Sequence, residues 1–214
     1  MEKPIRILLA DDHAITRQGL HSILMHAKDM QIIGEACTGR EAQKMVAELL
    51  PDVLLLDLVL PDVRPFEVEQ WVRENHPQVI TLLVTGHHRE RFLAKAVATD
   101  AKGYLTKDQD TDAFLDAIRR AARGESALTS DQIAQAEHWQ QTVGERWDSL
   151  TRQEREVLRQ LSTGADNQQI AANLCITTKT LESHISHIFR KLGVDSRAEA
   201  IVWMRNHYLD GLPE

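Results

Sequence analysis

Five residues stand where apolar runs stop. Asp11 and Asp12 follow "IRILLA", Asp57 ends "VLLLD", Thr85 ends "VITLLVT" and Lys107 follows "GYLT". A buried run seldom ends on an ionisable group without a use for it, because a charge taken out of water is costly unless it is paired. Three carboxylates brought together repel one another unless a cation neutralises them or one takes up a proton. An oxygen-only set of this kind, with room for water, suits Mg²⁺. A lysine and a hydroxyl beside it complete a phosphoryl-acceptor site, with a carboxylate as nucleophile and charge on the transferring oxygens neutralised from several sides. Singly, these residues have plainer uses in turns and helix caps. The case for chemistry is that all five fall at the ends of elements in one series.

That series runs from the N-terminus to about residue 122. Residues 5–10, 31–36, 53–57, 79–85 and 103–106 have the apolar character of strands. Residues 14–27, 39–49, 66–75, 89–99 and 110–122 have helical periodicity. Strands alternating with helices predict a doubly wound, five-stranded parallel sheet in an α/β domain, covered on both faces. Such sheets bind ligands beyond the carboxyl ends of their strands, where the five residues would meet.

Beyond residue 122 the pattern changes. Residues 123–148 form a polar linker between Gly124 and Gly144 with room for one short helix around 130–140, and Trp139 and Trp147 are expected as packing anchors. Four helical patterns follow, at 151–163, 167–174, 178–191 and 196–207, with no strand signal among them. Gly164 would close the first, Asp166 or Asn167 cap the second, and Thr177 or Thr178 cap the third. The third would bury Leu181, Ile185, Ile188 and Leu192. A short helix, a tight turn and a longer amphipathic helix describe a helix-turn-helix, although a generic small bundle has the same periodicity. The expected organisation is therefore a domain at 1–122, a linker at 123–148 and an all-α domain at 149–214.

Composition agrees with two small domains: 214 residues, 43% hydrophobic and 27% charged. With neither a signal pattern nor a membrane-spanning run, a cytoplasmic protein without membrane association is expected. Cys37 and Cys175 lack metal-binding or disulfide spacing and read as small buried apolar residues. Of the net charge of -7, all the acidic excess lies before residue 149; residues 149–214 hold 8 Lys+Arg against 8 Asp+Glu. Neutrality neither advertises nor forbids a nucleic-acid partner, because placement matters more than the sum.

"ILLADDHAITRQGL", "DVLLLDLVLP", "LLVTG" and "AKGYLTKD" resemble the receiver domain of NarL/FixJ-type two-component response regulators, over residues 4 to about 122. The resemblance implies Asp57 as phosphoacceptor and a histidine kinase as donor. It implies Mg²⁺ held by Asp12 directly, by Asp11 through water, by Asp57 and by the backbone carbonyl of Val59. Lys107 would pair with the phosphoryl group, Thr85 would hydrogen-bond it, and Tyr104 would turn inward as Thr85 moves. Haloacid dehalogenase-type hydrolases also use a strand-end Asp, but they place an acid/base Asp two positions on. Here that position is Val59, which cannot transfer a proton. The chain is therefore expected not to be an enzyme, with at most slow autodephosphorylation. Two positions depart from the pattern: Pro65 stands in the loop after the acceptor where the family usually has Gly, and Asp100 replaces the usual Gly after the fourth helix.

The stretch from Leu150 to about His207, with "LTRQEREVL", "IAANL", "TLESHISHIFRKLGV" and "SRAEAI", resembles the LuxR-type DNA-binding domain. This makes 178–191 a recognition helix for the major groove of double-stranded DNA. Lys179, Glu182, Ser183 and Ser186 would face base edges, and Lys179, Arg190 and Lys191 would be available to phosphates. Glu182 stands where Lys is commoner. His184 and His187 share a helix face but lack a third ligand, which favours packing or phosphate contact over metal. The implied protein is a phosphorylation-controlled transcription regulator, homodimeric when phosphorylated or DNA-bound. The alternative is a DNA- or protein-binding regulator whose output ignores phosphate.

Overall fold

The computed structural model describes residues 3–86 and 89–209. The remaining positions, including the outer ends of both expected domains, lie outside the described residues. The chain divides into two units, Met1–Ala136 and Glu137–Glu214.

The first unit is built on five strands: β1 (Ile5–Ala10), β2 (Met30–Ala36), β3 (Val53–Asp57), β4 (Ile80–Thr85) and β5 (Tyr104–Thr106). They pair in parallel in the order β2-β1-β3-β4-β5. Between and after them run α1 (Ala14–Met25), α2 (Gly39–Leu49), α3 (Pro65–Asn75), α4 (Glu90–Ala98) and α5 (Thr111–Ala122). Every residue of β3 is buried, as a central parallel strand covered on both faces requires. Ile7, Leu9, Val53, Leu55, Leu82 and Val84 alternate onto one core with Leu20 and Leu24 of α1 and Phe114 and Ile118 of α5. The strand order reverses between β1 and β3, so the crevice of a doubly wound sheet opens where Asp11 and Asp57 emerge.

The two departures fit the backbone. Pro65 is the first residue of α3, where its missing N–H costs nothing, and Arg64 before it is extended. Asp100 takes the left-handed conformation at φ 55°, one that Asp tolerates better than most side chains. The cysteine expectation fails, since both are exposed. Cys37 lies in the loop after β2 and Cys175 in the turn after the second bundle helix, and neither occupies the inner face of an element.

Glu69 is an unplanned charge in the first unit. It is buried on α3, its Oε2 has no hydrogen-bond partner, and Arg73 approaches its other oxygen only to 3.9 Å. Burial pushes its carboxyl up from the ordinary 4.5, Arg73 opposing and Asp100 adding to the shift. A raised folded pKa means that the penalty is absent below about pH 4.5 and develops as pH rises through the folded value. Glu69→Gln is therefore expected to stabilise this unit by about 1 kcal/mol at pH 7. Urea titrations at pH 4 and pH 7 check this; an equal gain at both would rule out ionisation as its source.

The second unit is helical throughout. The boundary between the units falls within α6 (Ser130–Trp139). Within residues 123–148, expected as a linker with room for one short helix around 130–140, that helix is α6. The chain continues through a π-helical turn at Gln140–Gly144 into α7 (Glu145–Asp148), and Gly144 is helical rather than a breaker. Then come α8 (Arg152–Ser162), α9 (Asn167–Asn173), α10 (Thr178–Leu192) and α11 (Arg197–Met204), ending in a π-helical turn at Arg205–Leu209. Asp166 and Thr177 cap α9 and α10, and Gly164 follows α8 at φ 84°. Trp147 stacks on Tyr208 with centroids 3.9 Å apart and lies beside Trp203, the anchoring role its sequence context suggested. No helix among the described residues is long and apolar enough to cross a membrane.

Candidate functional site

The strand ends bring the acidic residues together. Asp11 and Asp57 are buried, and Asp12 and His13 border them on the solvent side. Ligand atoms of Asp11, Asp12, His13 and Asp57 all lie within 4.8 Å of one another. Lys107, carried out of β5, places Nζ 2.8 Å from Asp57 Oδ2 and 2.7 Å from Asp11 Oδ2. Both are contact ion pairs, and Lys107 is shared between the two buried carboxylates. Burial works against the Lys107 ammonium, but its two carboxylate neighbours outweigh it and hold its pKa above the ordinary lysine value. Burial pushes Asp57 upward, Lys107 opposing and Asp11 adding to the shift. The Asp57 carboxyl goes up despite its lysine partner because burial there outweighs Lys107.

Three carboxylates against one lysine suit a hard divalent cation. The loop after β3 adds to the pocket: the Val59 amide donates to Asp57 Oδ1 at 3.2 Å. Thr85 is buried at the end of β4, and its carbonyl accepts from the Lys107 amide at 2.8 Å. The Tyr104 ring is already fully buried, its hydroxyl accepting from the Arg89 amide at 3.2 Å.

Sequence reasoning missed His13, whose Nδ1 is 2.6 Å from Asp12 Oδ1 and whose amide donates to Asp11 Oδ1 at 2.7 Å. Its position beside the acidic pair was the available signal. It also missed Arg17, which holds the Asp11 carbonyl at 2.6 Å from one turn into α1.

In the second unit, α10 buries Leu181, Ile188 and Leu192 and half-buries Ile185. At about 100° per residue, Lys179, Glu182, Ser183, Ser186 and Arg190 fall on one opposite side, and all five are exposed. Lys191 points elsewhere: its ammonium sits 2.6 Å from Glu154 Oε2 of α8. Of the three expected phosphate-binding cations, it alone has this structural engagement. His187 approaches the same glutamate at 3.9 Å.

Residues 7–119 match the family of response regulator receiver domains, and residues 148–204 match the luxR family of bacterial regulatory proteins. The chain belongs to the response regulators. It carries a receiver domain and a LuxR-type DNA-binding domain. It is 31% identical to the response regulator protein VraR of Staphylococcus aureus over 205 residues, 96% of this chain and 98% of that one. The crystal structure of the response regulator ChrA, from a heme-sensing two-component system, is 32% identical, with a TM-score of 0.59 over 95% of this chain and 98% of that one. RcsB of Salmonella typhimurium shares the fold at 21% identity, with a TM-score of 0.62 over 95% and 99% of the two chains.

Proposed function

We propose that this response regulator accepts a phosphoryl group on Asp57 from the phosphohistidine of a kinase, in a Mg²⁺-dependent reaction, and that the event switches dimerisation and DNA binding. The observation that carries this reading is the buried Asp57 carboxylate, bonded to Lys107 and flanked by Asp11 and Asp12. A carboxylate oxygen of Asp57 attacks phosphorus, the bond from phosphorus to the donor nitrogen breaks, and the imidazole keeps the electron pair. Lys107 faces the phosphoryl oxygens, and the Thr85 hydroxyl reaches them from β4. Asp11, Asp12, Asp57 and the Val59 carbonyl would hold Mg²⁺, which supplies a Lewis acid for the phosphoryl charge. Val59 offers no group to orient an attacking water, so the acyl phosphate is expected to be long-lived.

Residues 1–122 act as the receiver domain and 149–214 as the DNA-binding domain, joined by 123–148. In the second, Lys179, Glu182, Ser183 and Ser186 face base edges, with Lys179 and Arg190 on phosphates. Lys179→Ala is expected to weaken binding to all sequences alike and to reduce the slope of log affinity against log salt by about 1. Gel-shift titrations across salt concentrations check this, and loss at one operator only would assign Lys179 to base reading.

One observation favours an output independent of phosphate: the Tyr104 ring is already fully buried. DNA affinity of wild type and Asp57→Ala, each with and without a phosphodonor and Mg²⁺, separates the readings. Switching predicts tighter binding only for phosphorylated wild type. Equal affinity in all four conditions would remove the switch and leave the DNA module standing.

A further inference from the structure

The loop that carries Val59 is fastened at a distance from the pocket. Leu58 begins it with an amide on the Val84 carbonyl at 2.9 Å, Leu60 is buried, and Pro65 ends it as the first residue of α3. Midway, the Asp62 carboxylate reaches α2. Its Oδ1 accepts from the Gly39 amide at 2.7 Å and its Oδ2 from the Arg40 amide at 3.1 Å. The next amide of that helix, Glu41, is taken by the Thr38 side chain at 3.1 Å. The first turn of α2 is thus capped partly by its own preceding residue and partly by a loop 23 residues away in sequence. A carboxylate at the positive end of a helix is favoured by the helix dipole as well as by the two bonds. Burial would raise the Asp62 carboxyl, but the backbone amides outweigh it and hold it below the ordinary range.

The approach is close enough to require glycine on the helix side. A Cβ at Gly39 would lie 2.9 Å from Val63 Cβ, 3.0 Å from Val68 Cγ2 and 3.3 Å from Asp62 Oδ1. Helix and loop are therefore fitted to each other through both the carboxylate and the missing side chain. Asp62 stands three residues beyond Val59, whose amide bonds Asp57 Oδ1. With Leu58 fixed on one side and Asp62 on the other, the Val59 peptide groups have little freedom relative to the Asp57 carboxylate.

We propose that Asp62 is a positioning residue for the acceptor site: by docking the β3–α3 loop on the start of α2, it holds Val59 against Asp57 and so sets both divalent-cation affinity and the rate of phosphoryl acceptance. The proposal rests on the reading of Asp57 as phosphoacceptor. Asp62→Ala removes both bonds. Asp62→Asn keeps an oxygen for one amide and turns an NH₂ toward the other. Gly39→Ala pushes on the loop from the opposite side with Asp62 intact.

The test uses the full chain, with Mg²⁺ binding measured by calorimetric titration and the initial rate of phosphorylation by acetyl phosphate measured at saturating Mg²⁺. Asp62→Ala and Gly39→Ala are each expected to weaken Mg²⁺ about tenfold and to slow the saturated rate about tenfold, and Asp62→Asn to fall between them and wild type. Circular dichroism fixes a temperature at which each variant is folded, and a residue that merely stabilised the fold would lower the melting temperature while leaving both quantities alone. Wild-type affinity and rate in folded Asp62→Asn and Gly39→Ala would overturn the proposal, even if Asp62→Ala did not fold. Wild type that takes up no phosphoryl group on Asp57 would defeat the underlying reading before any variant is compared.

Discussion

Lys107→Met is expected to destabilise the receiver unit by about 3 kcal/mol and to slow phosphoryl acceptance by Asp57 about 100-fold. Both effects follow from one geometry. The ammonium lies within 3 Å of two buried carboxylates, 2.8 Å from Asp57 and 2.7 Å from Asp11, and removing it leaves two negative charges in a pocket with little water to screen them. The stability loss should therefore be conditional. Saturating Mg²⁺ should restore most of it by binding the folded state alone. Asp57→Asn in the Lys107→Met background should restore most of it too, because a single buried carboxylate, with only the exposed Asp12 beside it, is far cheaper to bury than two. The rate loss should survive Mg²⁺, since on the proposed reading the ammonium would neutralise phosphoryl charge that the metal alone leaves unbalanced. Thermal melts of the single and double variants with and without Mg²⁺, together with phosphorylation rates of Lys107→Met, check the set. A stability deficit of the same size in the Asp57→Asn background would show that repulsion between carboxylates is not its cause.

Much of this site was legible because its parts are local. Asp57 ends a strand whose five residues are all buried, and a run such as "VLLLD" announces both facts at once. Thr85 and Lys107 follow the same rule, and the strand order then places all of them at one edge. What the residues did not announce depends on which distant segments meet. Asp62 reads as an ordinary turn residue until the loop after β3 is known to lie on the start of α2. Lys191 reads as a phosphate contact until α8 is known to present Glu154 to it. Glu69 sits among residues of helical period that allow either face, and tertiary packing chose the buried one. The cysteines went wrong for a related reason: the residue type leans toward burial, but Cys37 and Cys175 lie in connecting segments, which run along the surface. The helical continuation at 140–148, within the segment expected to be part helical, had weak periodicity and a glycine, and Trp147 packs there against Tyr208 and Trp203.

Glu154→Gln is expected to destabilise the DNA-binding unit by about 2 kcal/mol at neutral pH. Glu154 is buried at the third position of α8, where Oε2 accepts from the Thr151 amide at 2.7 Å while its own amide donates to Thr151 Oγ1 at 3.2 Å. The same oxygen takes the Lys191 ammonium at 2.6 Å, tying the start of α8 to the last turn of α10. Burial would raise this carboxyl, but Lys191 and Thr151 outweigh it and bring it down from 4.5 to about 2. A depressed folded pKa gives stability that is fully present above about 4.5 and lost as pH falls through about 2. Wild type should therefore lose this contribution between pH 4.5 and 2, and Glu154→Gln should show no such step. Lys191→Met should cost a similar amount, and a double-mutant cycle between the two positions should give a coupling of about 1 kcal/mol or more. Because its ammonium is committed to Glu154, Lys191→Met should leave the salt slope of DNA binding unchanged, in contrast to Lys179→Ala. A slope reduced as much as by Lys179→Ala would return Lys191 to the phosphate-binding set, and additive stabilities in the cycle would show that Glu154 acts as a helix cap alone.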